Sequence, residues 1–117
     1  MLGQEQIYNR LNLTLEQLEA FCKQHHILEL SIFGSTLRDD FRSDSDIDML
    51  VVFEPLFRSR MSLMDLVGIG FQLEELSGRK VDLVEKRSVE ESHNWIRRNN
   101  ILNTAQVIYE SGRILSV

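Results

Sequence analysis

The sequence predicts an α/β domain. Three short apolar runs rich in β-branched residues, at 27–33, 46–53 and 80–84, have the length of strands. They alternate with longer segments whose apolar residues recur at helical spacing. Two of those segments open on cap residues, Thr14 and Ser62.

In chain order, residues 4–11 predict a short helical turn around Ile7, Tyr8 and Leu11. Thr14 with Gln17 three residues on makes a capping box. The helix it starts, from Leu15 to about His25, places Leu15, Leu18, Phe21 and Cys22 on one core-facing stripe. Neighbouring helical side chains diverge by about 100°, so His25 and His26 do not chelate one ion; a helix C-terminal cap accounts for them. After the strand at 27–33 and a polar loop, the strand at 46–53 is closed by Pro55, and Arg58, Ser59 and Arg60 predict a basic loop. Ser62 caps a helix with Leu63, Leu66, Val67, Leu73 and Leu76 turned inward and Gly78 past its end. Gly68 and Gly70 within it each cost about 1 kcal/mol relative to alanine, which predicts close packing against another backbone. Ser88 and Glu91 form a capping box that starts a helix running through Trp95 and Ile96, with Arg97 and Arg98 on a solvated face. The runs Val107-Ile108-Tyr109 and Ile114-Leu115 predict a closing hairpin or edge strand.

At 117 residues, with 43% hydrophobic and 26% charged residues, the chain is expected to form one domain over residues 1–117 around a single core. A formal charge of −5 argues against a surface built to bind nucleic-acid backbones directly. The lone Cys22 excludes an internal disulfide and points to a reducing, cytoplasmic setting. Glu5, Arg10, Glu16 and Glu19 interrupt any apolar leader, and no stretch reaches the roughly 20 apolar residues of a membrane span.

The chemistry is concentrated between the first two strands. Gly34 can present backbone N–H groups in a concave turn, and Ser35 adds a hydroxyl donor, which is equipment for holding phosphate oxygens. Asp46 and Asp48 lie two residues apart and so face the same way from one edge of the sheet. A divalent cation relieves the repulsion between such carboxylates, and hard Mg²⁺ takes a few of them together with substrate phosphates. A phosphate cradle beside a metal seat points to phosphoryl or nucleotidyl transfer. Asp82, in a short apolar strand, calls for a partner such as Arg79 or Lys80, or for a metal.

Gly34-Ser35, ten residues, then Asp46-Ile47-Asp48 resembles the signature of the minimal nucleotidyltransferases of the DNA polymerase β superfamily. Arg38, Arg42 and Ser45 also look like that family's loop, whereas Thr36, Leu37, Asp39 and Ser43 stand where relatives often have Arg, Ala, Gly and Pro. The resemblance extends from the first strand to Tyr109. It implies a small mixed sheet of the nucleotidyltransferase type with helices packed on one side. It also implies that Asp82 completes a metal-binding, catalytic triad with Asp46 and Asp48 and serves as general base for the attacking hydroxyl. Gly34 and Ser35 would hold the β- and γ-phosphates of ATP, Arg38 would neutralise triphosphate charge, and Mg²⁺ would be the cofactor.

Larger superfamily members carry a second domain for the acceptor. Small ones resemble the MNT antitoxins of HEPN/MNT toxin–antitoxin modules, which transfer AMP to a tyrosine of a HEPN-domain toxin. The resemblance therefore implies a HEPN partner in a hetero-oligomer. Two other readings stay open: a homodimeric nucleotidyltransferase of the aminoglycoside-modifying kind, and a non-catalytic module that binds a toxin.

Overall fold

The computed structural model describes residues 2–111. Four strands, β1 (Ile27–Phe33), β2 (Ile47–Phe53), β3 (Val81–Glu85) and β4 (Gln106–Glu110), form one mixed sheet in the order β3-β2-β1-β4. β1 pairs antiparallel with β2 and with β4, whereas β3 runs parallel to β2. A parallel neighbour needs a long crossover, which here carries α3 (Pro55–Arg60) and α4 (Leu63–Ser77). The edge strand expected near the C-terminus is β4; Ile114 and Leu115 lie outside the described residues.

Period-two alternation decides which face is buried. Ile47, Met49, Val51 and Phe53 of β2 join Ile27, Leu30 and Ile32 of β1 in the main core, under α1 (Gln4–Leu11), α2 (Leu15–Gln24) and α4. Asp48 and Leu50 face the other way. There a smaller cluster of Phe33, Leu50 and Val89 is covered by α5 (Lys86–Glu90) and α6 (Trp95–Thr104), which supplies Ile101 and Leu102. The layer on one side is thus joined by a patch on the opposite face, and Asp48 stands beside that patch.

Several local expectations are met. Thr14 and Ser62 cap α2 and α4 through reciprocal boxes with Gln17 and Asp65, and Gly78 ends α4 in the left-handed region at φ 71°. His25 is the cap residue closing α2. Cys22 is a buried core residue whose thiol is pushed up to about 12 by burial and by Glu19, so it is no nucleophile.

Others need correcting. The basic stretch at Arg58 is helical: Pro55 sits in the first turn of α3, where its missing N–H costs nothing. Ser88 lies inside α5 and donates to the carbonyl of Glu85, so the predicted single helix is two, the second capped by Asn94. Leu15 is exposed, as are Leu63, Val67 and Leu76 of α4, and the buried residues of α4 are Ile69, Leu73 and Ser77. α4 is apolar on two sides, so periodicity alone could not say which one faces the sheet.

The two helix glycines do not abut a backbone. A Cβ on Gly68 would meet nothing within 4 Å, and one on Gly70 would meet only Leu83 Cβ at 3.9 Å. Gly68→Ala is therefore expected to stabilise the protein by about 1 kcal/mol through helix propensity alone, read as a higher urea midpoint at unchanged slope. A lower midpoint would mean that the open space is filled by something the fold requires.

Candidate active site

The turn after β1 fixes the geometry. Gly34 adopts φ 59°, a conformation glycine alone takes without strain, and opens a 3₁₀ turn over Gly34–Leu37. The turn swings Ser35 over β2. Ser35 N–H and Oγ–H both donate to Asp48 Oδ2, at 3.2 and 3.0 Å, and Oγ also lies 3.4 Å from the carbonyl of Asp46. The next residue completes the clasp: Thr36, fully buried, accepts the N–H of Asp48 on its hydroxyl at 2.8 Å. Thr36, a departure from the family's usual loop, is thus a structural hydroxyl joining the turn to β2.

Asp82 stands directly opposite Asp48 in the parallel register of β2 and β3. Asp46 lies just ahead of β2 and is exposed. Burial raises the pKa of Asp48; the Ser35 hydrogen bonds oppose that, and the charges of Asp82 and Asp46 add to it. The three carboxylates thus share one end of the sheet, and Asp48 feels the charge of the other two. They do not converge: among the described residues no three His, Cys, Asp or Glu side chains stand close enough to grip one ion. Asp48 is instead drawn towards Ser35. Asp82 is exposed on an edge strand and forms no ion pair among the described residues, so it bears no burial penalty and is not the partner of Arg79 or Lys80. Hard, mutually repelling oxygen donors on adjacent strands fit Mg²⁺ in donor chemistry.

A cleft of about 470 Å³ opens beside Ser35, lined also by Arg38, Asp40, Phe41, Arg42 and Ser45. Arg38 reaches it but is paired with Asp40 through two contacts of 3.0 and 3.2 Å, which holds the Asp40 carboxyl below its usual range. To meet a phosphate, Arg38 must leave that exposed partner.

Two residues that the motif did not include hold the loop. Arg10, from α1, donates to the carbonyls of Thr36 and Arg38 at 2.8 and 2.6 Å. Arg79, just before β3, donates to those of Arg42 and Ser45 at 2.9 and 3.1 Å. Both guanidinium groups also lie against the ring of Phe41, 5.1 and 4.8 Å from its centre. A guanidinium bonded to distant carbonyls leaves no mark in local sequence, so no pattern could have found them.

Comparison with known proteins bears on the family and the fold. The family model of the nucleotidyltransferase domain matches residues 15–108. The protein adenylyltransferase MntA of Thermococcus cleftensis is 36% identical over 85 residues, covering 66% of this chain and 82% of that protein. A solved structure provisionally described as a minimal nucleotidyltransferase has a TM-score of 0.61 at 30% identity, over 90% of this chain and 95% of the other. A chain of the solved complex of tri-AMPylated Shewanella oneidensis HEPN toxin with MNT antitoxin has a TM-score of 0.57 over 95% of this chain and 77% of its own. At 15% identity, that last likeness is one of fold. With most of its length matched in sequence and in fold, this chain belongs to the nucleotidyltransferase domain family, as one of the minimal nucleotidyltransferases.

Proposed function

We propose that this chain transfers AMP from ATP to a tyrosine hydroxyl of a partner HEPN-domain protein, as the antitoxin of a toxin–antitoxin pair. The observation that carries the reading is the Gly34-Ser35 turn seated on Asp48, with Asp46 two residues before it and Asp82 across the register. The names of the T. cleftensis relative and of the S. oneidensis complex support the choice of acceptor.

In the proposed reaction Ser35 presents two donors, and its hydroxyl can rotate from Asp48 to a phosphate oxygen while its N–H stays on Asp48. Arg38, at the cleft wall, exchanges Asp40 for triphosphate charge. Arg10 and Arg79 keep the loop between Ser35 and Asp46 in one shape, so both ends of the motif hold their spacing. Asp46, Asp48 and Asp82, which do not converge in this structure, would have to close on Mg²⁺ to hold it, and the bound ion would supply charge neutralisation and acidify the attacking hydroxyl. Asp82, exposed at the sheet edge, takes the hydroxyl proton as the new oxygen–phosphorus bond forms and pyrophosphate leaves.

Intact-mass measurement tests the reading. The HEPN-domain protein is expected to gain the mass of AMP only when ATP, Mg²⁺ and this chain are all present. The Asp82→Asn variant is expected to bind the same protein and leave its mass unchanged. Efficient adenylylation of a small hydroxyl compound by the chain alone, with no mass gain on the protein, would overturn it.

A further inference from the structure

α4 has an apolar face that the fold does not use. Leu63, Val67, Gly70 and Phe71 recur at helical spacing on the side away from Ile69 and Leu73. Val67 is 45% exposed and Phe71 63%, and Met64 continues the patch. Between this face and β3 runs a groove of about 230 Å³, lined by Leu66, Val67, Phe71, Glu74, Leu83 and Asp82. Gly70 keeps it open, since a Cβ there would already touch Leu83.

We propose that this groove docks the acceptor polypeptide: an extended segment with apolar side chains and a flanking Lys or Arg. The inference rests on the transferase reading above and names where its acceptor lies. Charge selects the occupant. The groove's charged lining residues, Glu74 and Asp82, are both acidic, in a chain of net charge −5. A second copy docked two-fold would set these carboxylates against themselves, and anionic lipid or nucleic acid would be repelled. An apolar segment with a cation suits both walls.

Backbone geometry selects an extended form. β3 is an edge strand, so its outward N–H and C=O groups have no ladder partner among the described residues. Glu74 Oε2 accepts the N–H of Val81 at 2.9 Å and blunts only the strand's first residue. A segment laid along β3 gains main-chain bonds there and side-chain contacts on α4. The groove's position selects the role: Asp82 pairs with Asp48 and so faces away from α4, and because side chains of an added strand alternate between the two faces, those between the ones packed on α4 reach the proposed base around the sheet edge.

The test uses steady-state AMP transfer to the HEPN-domain acceptor of the transferase reading. Gly70→Leu fills the groove and improves helix propensity, so it folds; Phe71→Lys sets a like charge against the occupant's cation. Each is expected to raise KM for the protein acceptor by about tenfold or more, with unchanged affinity for AMP-PNP. Leu56→Lys, on an apolar residue of α3 outside the groove that is more exposed than Phe71, is expected to leave KM unchanged. Wild-type KM in both groove variants would overturn the inference and leave the transferase reading standing. An equal effect of Leu56→Lys, or self-association that Phe71→Lys abolishes, would overturn it too. No transfer by the wild type overturns the transferase reading and this inference with it.

Discussion

Replacing Asp46 and Asp48 together with asparagine is expected to lower AMP transfer by roughly a thousandfold or more while leaving the fold intact. Metal-held charge stabilisation is worth several kcal/mol of barrier, and each 1.4 kcal/mol or so is tenfold in rate. Asparagine is nearly isosteric, and its amide oxygen can still accept from Ser35, so the clasp between turn and β2 survives. Stability without metal carries an independent signature. Burial and the charges of Asp82 and Asp46 raise the folded pKa of Asp48 above its ordinary 3.8. A carboxyl with a raised folded pKa contributes stability that is fully present below the unfolded value and lost as pH rises through the folded one. The wild type without metal should therefore gain stability on acidification towards pH 4 relative to the double variant. At neutral pH the variant should match or exceed it. Chemical denaturation across pH checks the second part and a mass-based transfer assay the first. Wild-type transfer by the double variant would remove these residues from the catalytic site.

What the sequence disclosed and what it hid follow from how far each interaction reaches along the chain. β1, β2 and the turn between them are local: an apolar run, a glycine, a polar loop and a second run each declare their own structure. The Gly-Ser and Asp-x-Asp pair was legible because both ends of the site lie on one hairpin, 13 residues apart at Ser35 and Asp48. Asp82 was legible as an anomaly, though for the wrong reason: it was expected to be costly in a buried strand, and β3 proved to be an edge. That Asp82 lies opposite Asp48 follows from the parallel pairing of β3 with β2, which no local pattern encodes. Arg10 and Arg79 are harder still, reaching carbonyls 26 to 37 residues away. α4 was misoriented because both of its faces are apolar. If one of them docks a partner, that ambiguity is itself functional.

Gly34→Val is expected to be as damaging as loss of Asp48, and for a reason visible only in the structure. The sequence suggests that a branched side chain would obstruct an approaching phosphate. The geometry places an earlier obstacle: a Cβ at position 34 would lie 2.7 Å from Asp48 Oδ2 and 3.5 Å from its Cγ. At φ 59° the backbone is also left-handed, which costs an L-residue roughly 1–2 kcal/mol. Relief of the clash pushes the Asp48 carboxylate off both Ser35 donors, so the variant loses the turn's anchor together with the proposed metal seat. We expect transfer to fall by about two orders of magnitude or more, with stability lower by about 2 kcal/mol. Gly34→Ala should fall nearly as far, because the first carbon already makes the clash. Ser35→Ala is the contrasting case. It deletes the hydroxyl but keeps the N–H bond to Asp48, so its loss should stay within about 1.5–3 kcal/mol of transition-state stabilisation, with little change in stability. Rate and denaturation measurements on the three variants separate the roles. If Gly34→Ala behaved like wild type while Ser35→Ala did not, the turn would be holding phosphate through the hydroxyl alone, and Asp48 would be free of it.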